Sequence, residues 1–252
     1  MNILLVDEGN TSAKYALLQL DANATYPTPF IELIDFECLV WREIDKVVFA
    51  SVKAESDSIY PLLINKLSAN PKLNQQPLAD KILQVKTQAS AFGLINAYAE
   101  YPRLGVDRWL AMLGAKSLTQ SAFIVIDAGT AVTVDAVDEQ GQHLGGWILP
   151  NVEFSAQALA QRSGKIKLNQ PALANIELGQ NTENCVYNAL YASHIALIEK
   201  QLAQMQIKHS AVELYLCGGD AQVYAKLLSQ QGIQYQLAPQ LVFNGLAKYA
   251  NL

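Results

Sequence analysis

Two short runs of this chain carry residues suited to phosphate chemistry. Residues 3–14 read ILLVDEGNTSAK and residues 123–135 read FIVIDAGTAVTVD. Each is an apolar, β-prone run ending in Asp-x-Gly, then Asn-Thr or Thr-Ala, then a second β-prone stretch. Gly9 and Gly129 give the backbone the freedom that a tight turn needs. A turn holding Gly9, Asn10 and Thr11, or Gly129, Thr130 and Thr133, aims N–H groups and hydroxyls at one point, which suits phosphate oxygens. A carboxylate at the strand end, Asp7 or Asp127, can hold Mg²⁺, usually through water. The plain alternative is a hairpin in which the aspartate caps its own turn. Strand alternation leaves open which way Lys14 faces. Finding the pattern twice favours phosphate, because two such turns facing across an interdomain cleft can clamp a polyphosphate from both sides.

Two further clusters stand apart from these turns. In Cys217-Gly218-Gly219-Asp220-Ala221 the paired glycines let a flat base or ribose approach the backbone, and a following helix N-terminus adds positive potential. The bland reading is a strand-to-helix turn with Asp220 as N-cap. In Gly105-Val106-Asp107-Arg108-Trp109, preceded by Tyr98 and Tyr101, Asp107 falls at a helix start. An N-cap carboxylate is the bland reading there. Beside Arg108, however, a carboxylate stays ionised at neutral pH and can accept a proton from an alcohol.

The elements that must position these groups repeat. Asp7 and Asp127 stand 120 positions apart in 252 residues, which indicates an internal duplication and two domains built from one unit. The boundary is expected near 117–122, giving domains 1–119 and 120–252. Each copy should form a strand, a tight turn and an antiparallel strand. Buried-strand runs follow at 46–52 and 212–220, and a turn at 138–143 leads into HLGGWILP. Helices are expected over 108–119, 181–206 and 221–231. The longest carries Tyr191, Ile195, Ile198, Leu202 and Met205 along one face. Residues 65–90, rich in Asn, Gln, Lys and Pro, read as an exposed connection.

Composition narrows the function classes. Hydrophobic residues make up 51% and charged residues 16%, which rules out disorder. At this size roughly 70% of the extended chain's surface can be buried, so a core forms without staples. The net charge of −5 lacks the basic surplus of a non-specific nucleic-acid binder. Three scattered cysteines, Cys38, Cys185 and Cys217, make neither a disulfide framework nor a zinc site, and point to a reducing compartment. The three histidines are isolated, so a general base is expected to be a carboxylate. The start MNILLVDEGN lacks a basic leader, and no run approaches 18 apolar residues, so a cytoplasmic protein without membrane association is expected.

Taken in order, Asp-x-Gly-Asn-Thr, Gly-x-Asp-Arg-Trp, Asp-x-Gly-Thr-Ala-x-Thr-x-Asp, Gly-Gly-x-Ile-x-Pro and Gly-Gly-Asp-Ala resemble the type III pantothenate kinases. These belong to the acetate/sugar kinase, heat-shock ATPase and actin superfamily, and the resemblance spans nearly the whole chain. It implies an α/β fold of two ribonuclease-H-like (actin-like ATPase) domains, each a mixed five-stranded sheet flanked by helices, with ATP in the interdomain cleft. The implied reaction is phosphorylation of pantothenate to 4′-phosphopantothenate, the first step of coenzyme A biosynthesis. Mg²⁺ and a monovalent cation, K⁺ or NH4⁺, are implied, as is a homodimer whose subunits share the active site.

Carried over residue by residue, Asp7, Glu8, Gly9, Asn10, Thr11, Ser12, Ala13 and Lys14 match the first ATP-phosphate segment. Gly105, Val106, Asp107 and Arg108 match the pantothenate-contacting segment, with Asp107 as proton acceptor. Tyr98 and Thr182 match substrate contacts, Asp127 the monovalent-cation ligand and Thr130 a second ATP contact. Gly218, Gly219 and Asp220 match the adenosine segment. Three positions depart from the family pattern. Glu8 adds charge where smaller or apolar residues are commoner, and its side chain is expected to point away from the phosphates. Asn151 follows Pro150 where the family tends to have Gly, and Asn can still adopt a left-handed turn. Cys217 stands where Thr is frequent. The long helix is expected at a two-fold interface through its apolar row, with Thr182 facing pantothenate. Two other readings stay open: a superfamily kinase acting on a different small alcohol, and a nucleotide-dependent regulator resembling transcriptional accessory factors.

Overall fold

The computed structural model describes residues 1–20, 30–70, 81–163, 168–169 and 173–250. They fall into two compact units, Met1–Leu118 together with the stretch from Gln240, and Thr119–Pro239.

In the first unit β1 (Asn2–Glu8) pairs antiparallel with β2 (Ala13–Gln19), which pairs with β3 (Phe30–Ile34). On its other side β1 lies parallel to β4 (Lys46–Ser51), and β4 parallel to β5 (Ile82–Gln84). A central strand is covered on both faces, which is why Ile3 to Val6 and Val47 to Ala50 are unbroken apolar runs, while the more peripheral β2 alternates. Leu4, Val6 and Phe49 pack against Leu63 and Leu67 of α1 (Tyr60–Ser68). On the opposite face β1, with Ile3 and Leu5, and β4 are met by the helix over 241–247 described below, and α2 (Val106–Lys116) also lies against β4. A two-residue hairpin of β6 (Ser90–Ala91) and β7 (Leu94–Ile95) precedes α2. Its turn residues Phe92 and Gly93 both have positive φ, 50° and 77°, the handedness that twisted hairpins favour.

The second unit repeats the plan. Antiparallel β8 (Ala122–Ala128) and β9 (Ala131–Val137) continue into β10 (His143–Pro150), while β8 lies parallel to β11 (Val212–Cys217) and β11 to β12 (Gln236–Leu237). Among the described residues both sheets therefore have five strands in the same order, third, second, first, fourth, fifth. Helices α3 (Val152–Ser163), α4 (Thr182–Lys208) and α5 (Ala221–Gln230) complete the unit.

The final helix, α6 (Leu241–Ala247), belongs to the first unit, where it packs on α2. This differs from the division expected from the sequence, which puts 240–252 in the second domain. Two glycines decide the docking: a Cβ on Gly114 would meet the Leu241 carbonyl, and one on Gly245 that of Leu110, closer than any carbon can sit. Small residues facing backbone at both contact points carry no strong periodic signal.

The apolar row of α4 is corrected as well. Ile195, Ile198 and Met205 are buried, Ile198 completely, among β8, β9, β11 and α5 of their own unit. The row is core, and no partner is needed to cover it. Residues 65–90 also differ from the expected exposed connection. Helix α1 runs to Ser68, Asn70 is buried with its amide on the carbonyls of Trp41 and Ile44, and β5 joins the sheet, while 71–80 lie outside the described residues. No helix among the described residues is long and apolar enough to cross a membrane.

Candidate active site

In the first unit the chain leaves β1 at Glu8 and re-enters the sheet at Ala13. Gly9 N–H donates to the Ser12 carbonyl at 3.1 Å, closing the turn, and Asn10, Thr11 and Ser12 are exposed. Asp7 is registered opposite Lys14 on β2 and opposite Ala50 on β4. Facing residues of an antiparallel pair share a sheet face, so Lys14 lies on the face of Asp7. Glu8 takes the other face. It is 3% exposed; its carboxylate accepts from Ser58 Oγ at 3.1 Å and Ile59 N–H at 3.0 Å, and lies 3.5 Å from Lys53 Nζ. Burial pushes this carboxyl up, but the bonds from Ile59, Ser51 and Ser58 and the Lys53 charge outweigh it and hold the group below the ordinary carboxylate range. Glu8 thus anchors the segment entering α1. Of the eight residues in DEGNTSAK it can offer a phosphate only its backbone.

Asp107 sits in the first turn of α2, with Gly105 as the N-cap residue, so the carboxylate is not the cap itself. Its Oδ1 accepts from Arg108 N–H at 2.8 Å. The carboxylate leans over Gly105, where a Cβ would come within 2.5 Å of Oδ1. Arg108 is buried and carries its guanidinium to Tyr98, 3.1 Å from Nη1 to the hydroxyl and 5.9 Å from the ring centre. Tyr98 is fixed by its own N–H bonding Asn96 Oδ1 at 2.9 Å. Thr87 Oγ1 donates to Leu104 O at 2.8 Å, tying the end of β5 to the loop before α2. A cavity of about 380 Å³ opens at that junction, with Ser51, Lys53, Lys86, Arg103, Gly105 and Val106 among its walls. Tyr98, Gly105, Val106, Asp107 and Arg108 are therefore one cluster, at the carboxyl ends of parallel strands where α/β folds place ligands.

The second unit gathers another set. Asp127 is the last residue but one of β8, registered opposite Thr133 and Cys217. Gly129 N–H closes its turn on the Ala131 carbonyl at 2.9 Å, with Thr130 exposed. Gly218 has φ +94°, and a Cβ there would strike the Ala128 backbone and come within 2.5 Å of Asp127 Oδ1. Asp220 N–H donates to Ala128 O at 2.8 Å, fastening the two segments together. Asp220 occupies the N-cap position of α5 but makes no side-chain cap. Its Oδ2 accepts from Asn151 Nδ2 at 2.8 Å instead. Asn151 is not left-handed, since among the described residues only Phe92 is a non-glycine with positive φ. Thr182 is exposed at the head of α4, behind the Asn181 cap, whose Oδ1 accepts from Asn184 N–H at 2.8 Å.

The donor set bears on a cation. Among the described residues no three His, Cys, Asp or Glu side chains gather into a metal cage. What stands at the end of β8 is the Asp127 carboxylate and the Ala128 carbonyl, both within 2.5 Å of where a Gly218 Cβ would sit. This hard-oxygen set fits a singly charged ion, and a divalent ion arriving with nucleotide phosphates. Sequence reasoning placed Asn151 only as a turn residue and missed its bridge from Gly129 to Asp220, as it missed the Ser58–Ile59–Lys53 socket of Glu8. Asn151 two positions before Glu153 had the composition of a helix start, which could have flagged the cap but not its tertiary partners.

Comparison with known proteins adds the family. A family model described as type III pantothenate kinase matches residues 3–204. A type III pantothenate kinase of Pseudoalteromonas translucida is 32% identical over 244 residues, covering 96% of this chain and 94% of that one. Another, from Colwellia psychrerythraea, is 31% identical over 98% of this chain and all of the relative. In fold, the chain resembles a structure described as a Baf family transcriptional activator from Campylobacter jejuni (TM-score 0.59, 21% identity, 99% of this chain and 100% of that one). It also resembles one described as a 2-dehydro-3-deoxygalactonokinase from Sinorhizobium meliloti (TM-score 0.52, 13% identity, 99% and 96%). The match runs through both Asp-x-Gly turns and the Asp107 helix, with relatives aligned along nearly their whole length: this chain belongs to the type III pantothenate kinase family.

Proposed function

We propose that this protein transfers the γ-phosphoryl group of ATP to the primary hydroxyl of pantothenate, giving ADP and 4′-phosphopantothenate at the start of coenzyme A biosynthesis. The observation that carries the reading is the family match over residues 3–204, which contains every residue assigned here except Gly218, Gly219 and Asp220. The hydroxyl oxygen forms a bond to the γ-phosphorus as the bond to the β–γ bridging oxygen breaks, and Asp107 takes the hydroxyl proton. Phosphoryl transfer asks mainly for in-line positioning and charge neutralisation. The turn from Gly9 to Ser12, with Lys14, and the turn at Thr130 bind phosphates, while Gly218, Gly219 and Asp220 bind adenosine. Tyr98, Arg108 and Thr182 hold pantothenate. Asp127 would hold K⁺ or NH4⁺, which supplies positive charge when bound; Mg²⁺ comes with ATP.

The protein acts in the cytoplasm as a homodimer whose partner subunit helps enclose pantothenate. Because the α4 row is internal, the interface falls to apolar side chains the second unit leaves open, such as Ile148 and Phe154, 63% and 67% exposed. The test is ADP release by a coupled assay with and without pantothenate. Pantothenate-dependent ADP release supports the reading. Release with a different alcohol alone would replace the substrate, and nucleotide binding without turnover would favour a regulator.

A further inference from the structure

Asn151, between β10 and α3, uses its whole side-chain amide. Nδ2 donates one hydrogen to the Gly129 carbonyl at 3.0 Å and the other to Asp220 Oδ2 at 2.8 Å, while Oδ1 accepts from Glu153 N–H at 2.8 Å. A flipped amide would set Oδ1 against a carbonyl and a carboxylate, and Nδ2 against an N–H, so its orientation follows from the network. The three partners are the turn after Asp127, the head of α5 and the first turn of α3. One side chain therefore joins the segment assigned to phosphate and the segment assigned to adenosine, and braces both on a helix.

We propose that Asn151 is a positioning residue for the nucleotide: it fixes the spacing between the turn at Gly129 and Thr130 and the segment 218–220. It thereby sets affinity for ATP and leaves that for the alcohol substrate alone. The inference rests on the kinase reading for the identity of the ligand. The physical reason is that a turn and a glycine pair have soft backbones, and cross-links with good geometry remove the freedom that binding would otherwise have to remove. The bond to Asp220 is charge-assisted, the stronger kind.

Asn151 also caps α3, so the test must separate cap from bridge. Asn151→Asp and Asn151→Ser both keep an oxygen that can accept from the helix start. Neither can donate to both Gly129 and Asp220, and Asn151→Asp sets a second carboxylate against Asp220. The measurements are KM for ATP and for pantothenate, a thermal melt, and a calorimetric titration with Mg²⁺–ADP. Asn151→Asp should raise KM for ATP and the ADP Kd about tenfold or more, with Asn151→Ser smaller, while KM for pantothenate stays within about twofold. Melting should shift by only a few degrees. Unchanged ADP affinity in Asn151→Asp, or equal rises for both substrates, would reduce Asn151 to a helix cap and overturn the proposal. If Asn151→Asp does not fold, Asn151→Ser decides on the same readouts. Wild type that binds ADP but leaves pantothenate unphosphorylated would sink the kinase reading, and the ADP titrations would still judge Asn151. Wild type that binds no ADP would overturn the positioning role.

Discussion

At the scale of single residues the proposed mechanism turns on Asp107. It stands in the first turn of α2 without being the cap, leans on Gly105, and is followed by an arginine committed to Tyr98. A helix cap and a proton acceptor make different predictions for Asp107→Asn. The amide is nearly isosteric and still accepts from Arg108 N–H, so fold and pantothenate binding should survive. Loss of the base should lower kcat by at least about 100-fold. Steady-state kinetics decide this; a variant keeping more than roughly a tenth of kcat would leave Asp107 a structural residue. Asp127 makes a second prediction. If its carboxylate holds the singly charged ion proposed above, enzyme dialysed into sodium-only buffer should be nearly silent and should recover on adding K⁺ or NH4⁺. Equal rates in both buffers would remove the cation from the site.

Between elements, the packing of α4 on α5 carries a titratable group that the mechanism does not use. His194 is buried, with Nδ1 2.7 Å from Tyr224 Oη and the two rings stacked at 6.0 Å. Burial pushes its pKa below the ordinary histidine value. The folded state then binds this proton less readily than the unfolded state. Its stabilising contribution is complete above the ordinary histidine pKa and is lost as pH falls toward the lowered folded value. Wild type should melt at a lower temperature at about pH 5.5 than at about pH 7.5, and His194→Gln should flatten part of that slope. Identical slopes would show that His194 is not the group responsible. The same scale explains α2 on α6, where Gly114 and Gly245 let backbones touch, a contact that any larger side chain would hold apart.

For the whole molecule, the assembly prediction changes with the burial of the α4 row. Light scattering should give a mass near twice 27.6 kDa. Ile198→Glu would place a charge at a fully buried site in the core of the second unit. It should therefore unfold that unit, destabilising by about 3 kcal/mol or more, and not release folded monomers. Phe154→Glu, at an exposed position, should leave the chain folded, its melt lowered only by loss of the partner, and yield monomers with reduced pantothenate phosphorylation. A folded, soluble monomer from Ile198→Glu would return the row to an interface.

Much of this protein was legible from local order in the chain. Apolar runs ending in Asp-x-Gly are strand-and-turn signals complete within a dozen residues, so both hairpins, the parallel strands after them and the helices at 181–206 and 221–231 could be read with ends within a few positions. The order of the motifs carried the family. Other features depend on partners distant in sequence. Glu8 turns away from the turn it helps spell because Ser58 and Ile59, some fifty positions on, offer it a socket. Asn151 holds Asp220 across 69 positions. Periodicity showed that α4 has an apolar face, but an apolar stripe reads the same whether its own sheet or a second subunit covers it. Only the tertiary fold, by filling that face with β8, β9, β11 and α5, decided which.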